Sequence, residues 1–487
     1  MKQSAIYFAA RFGSAFIALI ALALYTRLLS PADYGVFDIV NTAAIAGFFM
    51  FGQWLQFGLQ RYAPVYEARG ALSELLSSVA AGYAGLAATL LAIIVATGAA
   101  LGLDGEQWLL ALSGYAVFLV FAGNELTLQL YNVGLRSGRY ASASLFRAAA
   151  PLIVSLALIW AGWGPFALLW GLAIGAGAPL LLTLKDAWRG VRLDRVTRAA
   201  FRDIVRYGAP LTVSAALTMV IAMSDRFILA GYFGADAEGA YAAPYNFAQR
   251  TLIQVLFVAN LAWFPLILRA YETKDSEKLR AAMENTARFV VGAGALVGGA
   301  MAALAPAVAA IFFGEAFAET AAAIIPTLAL AAWFQGLFSF YLSMSFSLPK
   351  ATIAQIGVAS VGAIANLALN FWLIPQHGPQ GAATATAISY GIVAALAIVV
   401  GRRYQALPLM PRETLAACLA AGAAALLVWP YRHPDPYSVE SWLALAGALA
   451  LAGAAFIAVL LAFDFAGLRS RAAALWRARR EDASRVS

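Results

Sequence analysis

Arg11, Asp38, Glu125, Arg147, Asp225, Arg226 and Arg250 all stand inside long apolar runs of this 487-residue chain. An ionised side chain surrounded by hydrocarbon is costly, so it faces a bundle interior or wet cavity, pairs with a partner, or reaches an interface. Guanidinium stays charged and grips phosphate bidentately, so deep arginines suit an anionic ligand. Deep carboxylates suit a coupling ion, H⁺ or Na⁺, because burial and an arginine neighbour move proton affinity in opposite directions.

Helical rise turns sequence position into depth. At about 1.5 Å per residue, Arg250 stands about 15 Å from the outer end of its run, near a membrane midplane, and Glu125 is as deep from the inner end. Asp225 and Arg226 lie about 11 Å from the outer end, Arg11 and Arg147 about 10–13 Å from the inner surface, and Asp38 about 7 Å from the outer surface. Spacing of three and four groups them on polar stripes. Glu125, Gln129, Asn132 and Arg136 share one face; Asn246, Arg250 and Gln254 share another. Asp38 and Thr42 align with Gln53, Gln56 and Gln60, Asp225 with Ser214 and Thr218, and Arg11 with Tyr7 and Ser14. Such spans line a shared polar space.

Each residue also has a plainer reading. Arg11 and Arg147 can snorkel to inner headgroups, Asp38 can reach outer water, and Asp225 with Arg226 can serve structural ion pairs. Arg250 and Glu125 are too deep to snorkel easily. Asn366 and Asn370, four apart, suit interhelical hydrogen bonding better than a ligand.

The elements that hold these side chains follow from composition. The chain is 62% hydrophobic and 12% charged, with a mean hydropathy of +0.77. A soluble domain is about 45–50% apolar and about 25% charged, so this is an all-α polytopic membrane protein. Each span needs about 20 apolar residues, and fourteen runs qualify: 5–29, 34–60, 71–101, 107–134, 140–162, 164–186, 203–232, 236–269, 282–313, 318–346, 350–374, 380–403, 412–430 and 441–465. The first run is too long for a signal-peptide core and lacks a cleavage site, so it reads as a span. Cys418 is the single cysteine and histidines number two, which excludes an internal disulfide and a His-rich metal site. There is no G-x-x-x-x-G-K-[ST] loop, so ATP-driven transport by this chain is not expected, nor any cofactor.

The net charge of +8 would suggest nucleic acid for a soluble chain; here it points to basic loops on one side. With the N-terminus inside, twenty-seven Lys and Arg fall in inner segments and two, Arg27 and Arg432, in outer ones. That asymmetry predicts both termini in the cytoplasm. The tail "GLRSRAAALWRARREDASR" either lies on the anionic inner leaflet or is a disordered basic end that sets topology.

The chain repeats itself. "RLLSPADYGVF" (27–37) and "GYFGADAEGAY" (231–241) align without gaps, Gly35 on Gly239. "RSGRY" (136–140) corresponds to "SLPKA" (347–351), and "GPFALLWGLAIG" (164–175) to "GPQGAATATAISYG" (378–391). Two parallel six-helix repeats are expected, related about an axis along the membrane normal. The expected organisation is a lobe at 1–186, a basic linker at 187–202, a second lobe at 203–403, additional helices 13 and 14 at 404–465, and a basic tail at 466–487. Rocking one repeat against the other would give alternating access.

"LYTRLLSPADYGVFDI" (24–39), "YGAPLTVS" (207–214), "SDRFILAGYFGADAEGAYAAPY" (224–245) and "LNFWLIPQHGPQGAATATAIS" (369–389) resemble polysaccharide exporters and O-antigen flippases. These belong to the multidrug/oligosaccharidyl-lipid/polysaccharide (MOP) superfamily. The resemblance implies a MATE-like fold in the inner membrane, moving an undecaprenyl-diphosphate-linked oligosaccharide from the cytoplasmic to the periplasmic leaflet. It implies membrane lipids and polysaccharide polymerase or assembly proteins as partners, and no nucleic acid. By position in span 1, Arg11 is the diphosphate candidate; Arg147, Arg250, Arg226, Asn246 and Gln53 extend that set by depth and face. Glu125, Asp225 and Asp38 are the ion-coupling candidates. The nearest rival is a cation/drug antiporter of the same superfamily, whose cavity would favour carboxylates and aromatics over arginines. An integral-membrane polymerase or ligase would need a large outer loop, and the longest here is 431–441. A scaffold role leaves the charges within spans unexplained.

Overall fold

A computed structural model describes residues 2–434 and 438–462, and among them there is helix and turn but no strand. The basic tail falls outside the described residues. The helices are α1 (Lys2–Leu28), α2 (Pro31–Phe51), α3 (Gln53–Ala68), α4 (Leu72–Leu101), α5 (Gly105–Val133), α6 (Ser137–Trp160), α7 (Pro165–Ala187) and α8 (Arg198–Ala248). They continue with α9 (Gln254–Glu272), α10 (Ser276–Ala303), α11 (Ala305–Phe312), α12 (Glu315–Leu337), α13 (Met344–Ser347), α14 (Thr352–Gly401), α15 (Pro411–Val428) and α16 (Val439–Ala462). Local chemistry sets their starts. Ser30 accepts a hydrogen bond from the Asp33 amide, with Pro31 at the first helical position of α2, where its missing N–H costs nothing. Asp104 and Gln107 close a reciprocal capping box on α5.

Twelve helical segments, not fourteen, are long and apolar enough to cross a membrane among the described residues. The reason is that two of them carry two expected spans each. In α8 the backbone leaves helical geometry at Gly234 (φ 80°, ψ 179°), and in α14 at Gly378 (φ 52°, ψ −130°). Both chains turn back there. The Tyr241 hydroxyl donates to Asp225, sixteen residues earlier, a contact that a straight helix would hold about 24 Å apart. Likewise a Cβ on Gly381 would lie 2.3 Å from the Leu373 carbonyl oxygen. Each long element is therefore a pair of arms joined at a glycine that alone adopts positive φ freely.

The internal repeat is visible in the backbone. Gly164 and Gly378, each followed by proline, take the same conformation (φ 52°, ψ −134° and φ 52°, ψ −130°). The turn after α3 closes through Gly70 N–H to Glu67 and Ala71 N–H to Tyr66; the turn after α9 closes through Lys274 to Tyr271 and Asp275 to Ala270. The turn after α5 is matched in the same way by the turn after α13, with Leu135 and Lys350 both at positive φ. Similar sequence at these places was slight; the shared left-handed helix ends make the correspondence plain.

By contact the chain forms two units, residues 1–242 and 243–487. The expected lobes follow the sequence repeat, whereas these units follow packing, and the first arm of α8 packs on α3. Ile204 and Ala200 sit in one core with Leu55, Leu59, Leu75 and Leu126. Tyr66 donates to Asp203 at 2.9 Å. Burial, and then that bond, pushes the Tyr66 hydroxyl up to about 12. In the second unit α15 and α16 pack on α10 through Ala416, Ala417, Ala420, Phe456 and Val291.

Candidate functional site

Two polar sets emerge, one in each unit. In the first unit, α2 and the two arms of α8 enclose Asp38, Thr42, Asp225, Arg226, Glu238 and Tyr241. The charged members are all buried, with side chains of Asp225 and Glu238 at 0% exposure. Arg226 donates to Asp38 and, at 3.0 Å, to Thr42; Thr42 donates to Asp38 at 3.3 Å. Asp225 accepts from the Tyr241 hydroxyl and from the Arg226 backbone N–H at 2.9 Å. Asp38 does not reach outer water, because the second arm of α8 covers it.

That cover depends on a close helix crossing. A Cβ on Gly35 would lie 1.9 Å from the Ala235 carbonyl oxygen, and one on Gly239 would lie 1.9 Å from that of Pro31. The two contacts are reciprocal: 31 meets 239 as 235 meets 35, with one offset relating both pairs. Reciprocity of this kind is the mark of a two-fold relation, here between the aligned turns of a single chain.

Elsewhere in the first unit, Arg147 of α6 pairs with Glu125 of α5 at 3.0 Å, with side-chain exposures of 33% and 21%. The two were expected in separate roles, and the structure joins them. A half-exposed pair contributes little, so a double-mutant cycle of Arg147→Ala and Glu125→Ala should give a coupling of about 0.5–1 kcal/mol in unfolding free energy. Arg11 is exposed and faces Tyr140 of α6. Gln53 is buried, donates to Gln56 at 2.8 Å and leaves its own Oε1 without a partner. At the basic ends, Arg139 and Arg136 converge on Asp186, which also accepts from Tyr131.

The second unit holds Arg250 and Asn246. Arg250 lies in a π-helical segment, Gln249–Ile253, between α8 and α9. Such insertions recur at functional sites because they re-aim side chains within a helix. The residue is exposed, and no ion pair engages it among the described residues. Its neighbour Gln249 donates to Gln335 of α12 at 2.6 Å, just before a second π-helical segment, Phe338–Leu342. Asn246 is half-buried on the same stripe. Asn370 donates to Asn366 at 3.0 Å, both fully buried, a bond within α14 rather than between helices.

Sequence reasoning missed Glu238 and Tyr241. Both follow Gly234 so closely that "GADAEGAY" read as an outer turn. Their signal was the matched helix-start turn at 31–37, which places 238 and 241 inside the following helix.

A family model described as "Polysaccharide biosynthesis protein" matches residues 1–271. No curated protein sequence matches the chain. Among solved structures, the fold is similar to the lipid II flippase MurJ in an inward closed conformation, with 15% identity, 94% of this chain and 98% of that chain covered, and a TM-score of 0.71. It is similar to a MOP superfamily transporter from Pyrococcus furiosus at 15% identity, covering 82% and 95%, TM-score 0.60. An outward-facing multidrug resistance MATE family transporter aligns at 16% identity, 82% and 94%, TM-score 0.58.

Proposed function

The chain belongs to the polysaccharide biosynthesis protein family, and on that premise we propose that it flips a polyprenyl-diphosphate-linked oligosaccharide across the bacterial inner membrane for surface polysaccharide assembly. It is a multi-pass membrane protein of the MOP superfamily. Cargo, coupling ion and orientation are our reading. The observation that carries it is Arg250: an exposed arginine, without an ion pair among the described residues, in a π-helical segment of a membrane-spanning helical element. An anion is the ligand that such a group suits. Arg11 adds positive charge at depth in the first unit, whereas the charge of Arg147 is compensated by Glu125. The glycan would meet amides such as the half-buried Asn246, on the same stripe as Arg250.

In this mechanism the helices never make or break a covalent bond. Arginines compensate the diphosphate while the lipid tail stays in the bilayer, and an exchange of conformations carries the headgroup across. A cation/drug antiporter shares the fold, but an arginine without an ion pair among the described residues, rather than a carboxylate, at the exposed position favours an anionic cargo.

Losing one charge-assisted hydrogen bond costs about 1.5–3 kcal/mol. Arg250→Ala should therefore slow appearance of the lipid-linked glycan in the outer leaflet by about tenfold or more, at unchanged expression. Arg250→Lys should retain part of the rate. Wild-type flipping by Arg250→Ala would remove Arg250 from the site.

A further inference from the structure

One group in the buried cluster has no use in the transport reading above. Glu238 is fully buried, neither of its carboxyl oxygens meets a hydrogen-bond donor among the described residues, and the Asp38 carboxyl lies within hydrogen-bonding reach. Among the described residues, the charged groups acting on it are Asp38 from α2, and Arg226 and Asp225 from the first arm of α8, with the Tyr241 hydroxyl of its own arm engaged on Asp225. Donors in the cluster serve the other two acids: Arg226 and Thr42 serve Asp38, and Tyr241 with the Arg226 backbone serves Asp225. An ionised Glu238 would add a fully buried negative charge with no donor beside it, next to Asp38 and Asp225. Groups in that position take up protons instead, and two adjacent carboxyls share one.

We propose that Glu238 is a proton-binding site, its carboxyl neutral and hydrogen bonded to the Asp38 carboxylate while α2 and the second arm of α8 are packed together. The step is simple in its balance: one proton from water forms one O–H bond on Glu238, and nothing else is made or broken. Separation of the Gly35–Gly239 crossing lets water solvate the carboxylate, so the separated state binds the proton more weakly. A ligand biases a conformational equilibrium only through such a difference in affinity. Acid on the side reached by this end of the helices thus favours closure over Glu238. The binding site is read from packing alone; its use in coupling rests on the flippase reading. A metal ion fits less well, because no three His, Cys, Asp or Glu among the described residues converge as ligands, these three included.

Infrared difference spectroscopy of the full-length protein in lipid bilayers tests this directly. At neutral pH we expect the C=O band of a protonated carboxylic acid, shifted in heavy water and lost in Glu238→Gln. The glutamine mimics the neutral acid, so that variant should keep wild-type thermal stability. Should it fail to fold, Asp38→Asn serves instead, removing the accepting carboxylate and shifting the Glu238 band. Absence of the band in wild type, its persistence in Glu238→Gln, or an unmoved band in Asp38→Asn would overturn the proposal. So would loss of the band on adding sodium with matching uptake of radioactive sodium, which would assign a cation instead. No cargo is needed, so failure of glycan flipping leaves this readout intact, and failure of this readout leaves flipping to be judged separately.

Discussion

Replacing Arg226 with methionine should destabilise the protein by about 3–5 kcal/mol, the cost of removing one partner from a buried ion pair. Arg226 is 6% exposed and donates to both Asp38 and Thr42. Without it the acids on three helical segments face one another across an apolar site. Removing charge from both sides should relieve most of the loss, so Asp38→Asn combined with Arg226→Met is expected to be more stable than Arg226→Met alone. The deficit should also shrink in acid, where the carboxyls take up protons. Thermal unfolding in detergent across neutral and acid pH reads both effects. A neutral Arg226→Met at every pH would mean that the cluster is solvated in the working protein.

The second large effect is steric. A Cβ on Gly239 would stand 1.9 Å from the Pro31 carbonyl oxygen and 2.7 Å from the Gly35 amide nitrogen. Carbon contacts are comfortable at about 3.5–4.0 Å, so α2 and the second arm of α8 must move apart by about 1.5–2 Å. Gly239→Val should hold this crossing open, and Gly35→Ala should do the same because the contact is reciprocal. Gly231→Ala, where an added Cβ meets nothing within 4 Å, is the matched control. The measurement is labelling of a single cysteine, Thr42→Cys in a Cys418→Ala background, with a membrane-impermeant thiol reagent. Thr42 is 1% exposed, so Thr42→Cys should be protected with glycine at 239 and 35, protected in the control, and reactive in the two crossing variants. Flipping should fall with it. Continued protection in Gly239→Val would show that the helices accommodate the side chain elsewhere.

Much of this arrangement is legible in the sequence. Apolar run length located the helices because only an internally bonded backbone survives in lipid. Pro31 and Gly35 marked a tight turn, and Gly239 marked its repeat. Sequence alignment of the two turns did not disclose that they meet each other, since a two-fold contact is a property of packing. Nor could spacing along one helix reveal the Arg147–Glu125 pair, whose partners stand on α5 and α6. Glu238 was hidden for a related reason. A short polar stretch after a turn has the same composition whether solvent or another helix covers it, and here α2 covers it. Arg250 was found by depth alone; the π-helical segment that aims it has no pattern in residue type.

The helix ends tell the same story from the other side. Lys274 and Lys350 adopt positive φ without being glycine, an arrangement that costs energy and that a residue-type scan passes over. Their hydrogen bonds match those at Gly70 and Leu135. Backbone geometry thus carries the repeat where side-chain identity has drifted.

The proposed flippase moves a lipid-linked glycan between leaflets. The direct measurement places the purified full-length protein in vesicles with a polyprenyl-diphosphate-linked oligosaccharide in both leaflets, then follows its digestion by an impermeant glycosidase. In protein-free vesicles only the outer-leaflet share should be digested. With wild-type protein the inner share should become accessible as well, slowly with Arg250→Ala. Digestion that stops at the outer share with active, folded protein, while the same vesicles accumulate a cationic drug, would contradict the flippase reading and leave the antiporter.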